Sequence, residues 1–231
     1  MKKRIYAVLG IIVLGLCGLW SFESKVEEGK KFDYEMWGKA LNSEYEKDQN
    51  ENFSKIEDKI YILGESAKIM KDELDRGILY YKAAGKSDED AKELAATYFM
   101  QYEAMYEKAI EDGYSVDNKE IEEQVEYEKT IFHGGTLNEL SKNETQKIMD
   151  QFESEDAYWE FQKKVYTKQL PIQYMVSDIE KKYFSENPDA TEEEWIEFFE
   201  QYKYRLVKDQ KYTVVEESED VINKIVKEIN N

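Results

Sequence analysis

Ile56-Glu57-Asp58-Lys59-Ile60-Tyr61-Ile62-Leu63-Gly64-Glu65-Ser66-Ala67-Lys68-Ile69-Met70-Lys71-Asp72-Glu73-Leu74-Asp75-Arg76-Gly77-Ile78-Leu79-Tyr80-Tyr81 decides how the rest of the chain is read. Within it Ile56, Ile60, Leu63, Ala67, Met70, Leu74, Ile78 and Tyr81 recur mostly at spacings of three and four, with Lys, Glu and Asp between them. That period predicts one amphipathic helix of about seven turns, ending at Ala83-Ala84-Gly85. Ser87, with Asp90 three residues on, opens a second helix as an N-cap followed by an acid in the first turn. Its stripe is Ala91, Leu94, Ala95, Tyr98, Tyr102, Met105, Ala109 and Ile110, ending at Asp112-Gly113. Two such stripes joined by a short Gly-Lys turn predict a long antiparallel helical hairpin. The Met and Tyr positions read first as core and second as a peptide-contacting surface.

Working outward, the helical signals continue. Asp117 is placed to cap, Glu120 to reach back to it and Val116 to staple onto Ile121. That helix runs to Phe132 and stops at Gly134-Gly135. Thr136, with Glu139 and Leu140, opens a short helix to about Phe152. Ser154 starts another, with Tyr158, Trp159, Phe161, Val165, Tyr166 and Leu170 as a heavy aromatic face. Pro171 should remove a backbone bond and kink it, at a cost of about 3 kcal/mol. Ile172, Met175, Val176, Ile179 and Tyr183 carry the period on to Asn187-Pro188. Thr191 with Glu194 caps a helix through Trp195 and Leu206, Tyr212-Thr213-Val214-Val215 reads as a strand, and Val221 to Ile229 as a last helix. The expected fold is mainly α, with at most one or two short strands.

Composition excludes several function classes. The 231 residues carry 32 Lys+Arg against 51 Asp+Glu, a net charge of -19 that becomes -22 once Lys2, Lys3 and Arg4 are set aside. So acidic a body is repelled by phosphate backbones and anionic head groups, which argues against nucleic acid. A hydrophobic share of 41%, with 14% aromatic, is too rich for a disordered acidic tail. Cys17 is the single cysteine and His133 the single histidine, so disulfides, Cys-based zinc sites and most nucleophilic triads are ruled out. His133, before Gly134-Gly135, reads as a cation at a helix C-terminus. No Gly-rich phosphate loop or metal-protease motif occurs, and Glu192-Glu193-Glu194 reads as a solvated face rather than a catalytic acid pair. An enzyme, a metal and a cofactor are therefore not expected.

Met1-Lys2-Lys3-Arg4 followed by the apolar run Ile5 to Phe22 has the form of an export signal, close to the roughly 17 residues that span a bilayer. Three readings stand. An uncleaved signal anchor is preferred because Leu19-Trp20-Ser21-Phe22 lacks a small-x-small cleavage site. Lipidation at Cys17 is disfavoured by Leu16, which replaces the small residue expected there, and cleavage elsewhere would release the body. All three put the body outside the cytoplasm, because the basic flank stays inside. The expected organisation is a signal anchor or signal peptide at 1–22, a charged tether at 23–31 and a helical domain at 32–231. The anchor is then the chain's one contact with the membrane.

Ala104-Met105-Tyr106-Glu107-Lys108-Ala109-Ile110-Glu111-Asp112-Gly113-Tyr114-Ser115-Val116-Asp117-Asn118-Lys119-Glu120-Ile121 is a helix, a Gly-aromatic-x-Val turn and a capped acidic helix. It resembles the N-terminal domain of SurA-type chaperones and PrsA-type foldases, in the trigger-factor/SurA peptide-binding superfamily. Phe152-x-Ser154-Glu155-x-x-Tyr158-Trp159 and Val165-Tyr166-x-x-x-Leu170 are similar to that family's step into its long helix. The resemblance implies a membrane-tethered extracytoplasmic chaperone whose helical arms hold unfolded or extended segments of secreted polypeptides without ATP. Only 55 residues follow Val176, about half of what a parvulin domain needs, so prolyl isomerase activity is not implied. Tyr98, Tyr102, Met105, Trp159, Tyr166 and Met175 are the candidate peptide contacts. The alternative is a structural or assembly protein of the cell envelope that docks one dedicated partner.

Overall fold

The computed structural model describes residues 31–50, 60–135, 137–215 and 220–230. The N-terminal segment, including Cys17, the proposed anchor and all of the tether but Lys31, lies outside the described residues, as does Ile56. The described chain is mainly α. Its helices are α1 (Tyr34–Asn50), α2 (Lys71–Ala83), α3 (Asp88–Glu111), α4 (Asn118–His133), α5 (Glu139–Met149), α6 (Glu155–Glu186), α7 (Glu192–Asp209) and α8 (Asp220–Asn230). The strands are β1 (Ile60–Leu63), β2 (Lys68–Met70) and β3 (Thr213–Val214). Among the described residues no helix is long and apolar enough to cross a membrane.

The local start signals form as expected. Ser87 accepts the Asp90 N–H at 3.1 Å and Ser154 that of Ala157 at 3.1 Å. Asp117 accepts the Glu120 N–H at 2.8 Å while the Glu120 carboxylate accepts the Asp117 N–H at 3.0 Å, and Thr191 and Glu194 form the same reciprocal box. Each such cap is worth about 1 kcal/mol. The short helix instead starts at Asn138, whose side chain accepts the Ser141 N–H at 2.9 Å, so Glu139 falls in its first turn rather than at its third position.

The long first arm of the hairpin is corrected. Ile60–Leu63 and Lys68–Met70 are antiparallel strands closed by a turn in which the Gly64 N–H donates to the Ala67 carbonyl at 2.8 Å. β3 adds on the other side of β1, giving the order β2-β1-β3 and three strands where at most two were expected. The helical period was misleading because the side chains that matter are others. Ile62 and Ile69, outside the stripe, are fully buried, whereas Leu63, inside it, is 37% exposed. Only α2 remains of the arm, and it folds back on α3 so tightly that a Cβ on Gly77 would sit 2.7 Å from the Phe99 ring. α6 likewise runs through Pro171 as one helix, with Leu170, Pro171 and Ile172 all buried; their packing offsets the bond that Pro cannot donate.

α3 is the hub, packed by α2, α6, α7 and α8, while α1 lies on α2 and α5. The main core holds Trp37, Tyr158, Trp159, Tyr166 and Tyr212. The Tyr212 hydroxyl donates to the Met100 carbonyl at 2.8 Å, which fixes the end of β3 to the middle of α3. A second cluster around Met105, Ile172, Met175 and Phe199 seats α7 and carries a row of half-buried rings, Trp195, Phe198 and Tyr202.

Candidate functional site

The fold separates the six candidate contacts. Tyr98, Met105, Trp159, Tyr166 and Met175 are between 0 and 5% exposed, so they are core and not surface. Each lies on a helix face turned inward, and the Tyr166 hydroxyl is held inside by donating to the buried Glu128 carboxylate. Burial without full compensation pushes the Glu128 carboxyl above its ordinary range, although Tyr166 and Gln124 both pull it down. Tyr102 alone is half-buried and lines a cleft.

That cleft, of about 280 Å³, is walled by α1, α2, α3 and α6. Leu41, Phe99, Phe161 and Val165 give it apolar sides, and Tyr102 and Tyr106 contribute rings. Charged groups cross it. The Arg76 guanidinium pairs with Glu44, which also lies 3.5 Å from the Lys164 ammonium. Lys168 donates to Glu73 at 3.1 Å and to Glu103 at 2.8 Å. Glu103 is 2% exposed, and desolvation, followed by the nearby Glu73, pushes its carboxyl up to about 7 against the pull of Lys168. Lys168 moves up as well, because its two carboxylates outweigh a burial that leaves a third of its side chain exposed. Burial brings the Arg76 guanidinium down to about 10, so it still carries its charge at neutral pH.

Arg76, Glu103, Lys168, Glu44 and Glu73 were not singled out by the sequence. One signal was present: Arg occurs only at positions 4, 76 and 205 of a lysine-rich chain, and a guanidinium suits a buried pair better than an ammonium does. His133 links two helices at the end of α4. Its Nε2 lies 2.7 Å from Glu155 Oε1, the oxygen that also accepts the Trp159 Nε1–H at 2.8 Å, tying the end of α4 to the start of α6. Among the described residues no group of three His, Cys, Asp or Glu side chains is placed to hold a metal ion.

Compared with known protein families, with curated proteins and with solved structures, the chain matches none.

Proposed function

We propose that this chain is a membrane-tethered, extracytoplasmic chaperone-like protein that binds segments of polypeptide without ATP and without prolyl isomerase activity. The single observation that carries the reading is the cleft between α1, α2, α3 and α6, where apolar walls and rings surround a few converging charges. Sites that bind organic groups have this make-up: an apolar lining gives affinity and a few placed polar groups give orientation. The resemblance to SurA- and PrsA-type domains over about Ala104 to Val176 supports it, as does the absence of a nucleotide motif. The contact surface is then the cleft and not the aromatic stripes.

A second reading, a structural or assembly protein of the envelope docking one dedicated partner, is favoured by the burial of those stripes. A holdase that accepts many clients uses wide exposed apolar surface, and five of the six expected contacts are core. One experiment separates the two. A reduced, aggregating client is mixed with the purified protein, and aggregation is followed by light scattering, alongside capture of partners from an envelope extract. The proposal expects suppression of aggregation that is lost when the cleft is filled by Val165→Phe. A single stoichiometric partner with no suppression at several-fold molar excess overturns the chaperone reading and selects the second one.

A further inference from the structure

Helix α4 is held to the body along one seam. Among the described elements α6 is its one substantial partner, and α5 adds the Lys142 ammonium, 5.6 Å from the Phe132 ring. The turns on either side pass through Gly113 and Gly135 at φ of +87° and +73°, and nothing lies within 4 Å of where a Cβ would stand on either. Backbone of that kind can change its dihedrals at little steric cost. The hydrogen bond between His133 and Glu155, at one end of α4, joins exposed side chains, where water competes with it. The seam itself is polar. Between the buried apolar anchors Ile121, Val125 and Phe132, α4 also buries Glu128, whose carboxylate accepts from the Tyr166 hydroxyl and from Gln124 Nε2 at 3.0 Å. Three and seven residues beyond Tyr166 on α6, Gln169 Oε1 and Gln173 Nε2 are buried without a hydrogen-bond partner. A buried carboxyl and half-satisfied amides cost desolvation that is not fully returned, so this contact is weaker than an apolar one of equal area. Segments that open locally are drawn from such contacts. What α4 covers is aromatic: Trp159, whose ring centroid lies 6.3 Å from that of Phe132, and Tyr166 are 1% and 0% exposed.

We propose that α4 lifts from α6, and that the face of α6 it uncovers around Trp159 and Tyr166 binds an amphipathic helix of another polypeptide in the place α4 leaves. The seat of α4 defines the occupant. Apolar residues are needed at i, i+4 and i+11, where Ile121, Val125 and Phe132 stand, and a hydrogen-bond acceptor at i+7, where Glu128 meets Tyr166. A glutamine at i+7 supplies that acceptor without burying a charge, so the preferred partner is uncharged there. Binding is then helix-in-groove recognition, with the anchors read at helical spacing. This surface shares neither Trp159 nor Tyr166 with the cleft, so the inference goes beyond the cleft reading and stands or falls separately from it. Its apparent affinity scales with the fraction of molecules in which α4 is open, so changes that loosen or tighten the seat of α4 move binding in opposite directions.

The test combines hydrogen exchange with fluorescence anisotropy, both on the full chain in detergent. Amides of α4 should exchange about 100-fold faster than those in the middle of α3, through local opening. A labelled peptide of residues 117–133 carrying Glu128→Gln should bind, and a scrambled peptide of the same composition should not. In the protein, Phe132→Ala removes the largest anchor of α4 and should tighten that binding about ten-fold, whereas Glu128→Gln firms the seat and should weaken it by a similar factor. A helix that is only structural responds to neither change. Circular dichroism shows that each variant folds, and the exchange comparison needs no variant. Val165→Phe, which fills the cleft, should leave peptide binding as it was. The inference is overturned by α4 amides as slow as those of α3, by equal binding of the scrambled peptide, or by a Phe132→Ala protein that binds no tighter. Loss of the peptide in Val165→Phe places the helix in the cleft, which overturns this surface and upholds the cleft reading. A peptide that binds no form of the protein while aggregation is still suppressed overturns this surface alone.

Discussion

Glu103→Gln should flatten the pH dependence of stability, because Glu103 is a carboxyl that the fold keeps from ionising. It is 2% exposed on α3, bonded to Lys168 and close to Glu73. Its ionisation moves from an ordinary 4.5 to about 7, with desolvation as the largest cause. The sign follows from proton binding. Below about 4.5 the group is protonated whether the chain is folded or not, and it imposes no penalty. Between there and about 7 the unfolded chain ionises and the folded chain does not, so stability drains away as pH rises; above 7 the loss is complete. At 1.36 kcal/mol for each pH unit that loss reaches about 3 kcal/mol. Acidification also relieves the self-repulsion of a chain carrying -19, which raises stability in any variant, so the informative quantity is the difference between wild type and Glu103→Gln. Gln keeps the shape of the protonated acid and cannot charge. Urea unfolding followed by tryptophan fluorescence should show the variant ahead by as much as about 3 kcal/mol near pH 8, with the gap closing by about pH 5. A gap that stays constant over that range would refute the reasoning, since it would mean that Glu103 ionises alike in both states.

Two further outcomes follow from packing. Trp159→Ala removes a side chain that is 1% exposed, stacked edge-on against Tyr158 and bonded to Glu155. It should cost about 3–5 kcal/mol in thermal or urea unfolding, whereas a loss below about 1 kcal/mol would return Trp159 to the surface. Gln210→Ala strips the acceptor of the Ser66 and Ala67 N–H groups, held at 3.0 and 2.9 Å. About 1–2 kcal/mol should be lost, with amide exchange accelerating at Ser66 and Ala67 and unchanged in the middle of α3; unaltered exchange in the turn contradicts that strut.

The part of the fold legible in sequence was the part whose causes are close in sequence. Ser87, Asp117, Ser154 and Thr191 cap helices through bonds that span three residues, so each signal and its consequence fit in one window. The turns at Gly113 and Gly135 follow for the same reason, since both have positive φ that glycine adopts without strain. The Ile60–Met70 stretch failed because its spacing satisfies a helix as well as the local hairpin it forms, and the third strand that extends that hairpin into a sheet is distant: Ile62 pairs with Val214, and no local window contains both. In the candidate site, Tyr102 was legible as an aromatic on an apolar stripe. The charges beside it were not, because Lys168 meets Glu73 and Glu103 across separations of 95 and 65 residues.

By itself, then, the sequence determined a mainly helical acidic chain, most of its helix starts and stops, and the poverty of Cys and His that removes whole classes of chemistry. Whether an aromatic stripe faces water or protein was decided only by the tertiary structure. Periodicity marks which side of a helix is apolar, but not what covers it, and here α3 and α6 spend Tyr98, Met105, Trp159, Tyr166 and Met175 on one another and on their neighbours. The same packing gathered Arg76, Glu103 and Lys168 at one cleft. Burial then set their charges against one another, an effect that depends on distance through space and on exclusion of water, neither of which is written along the chain.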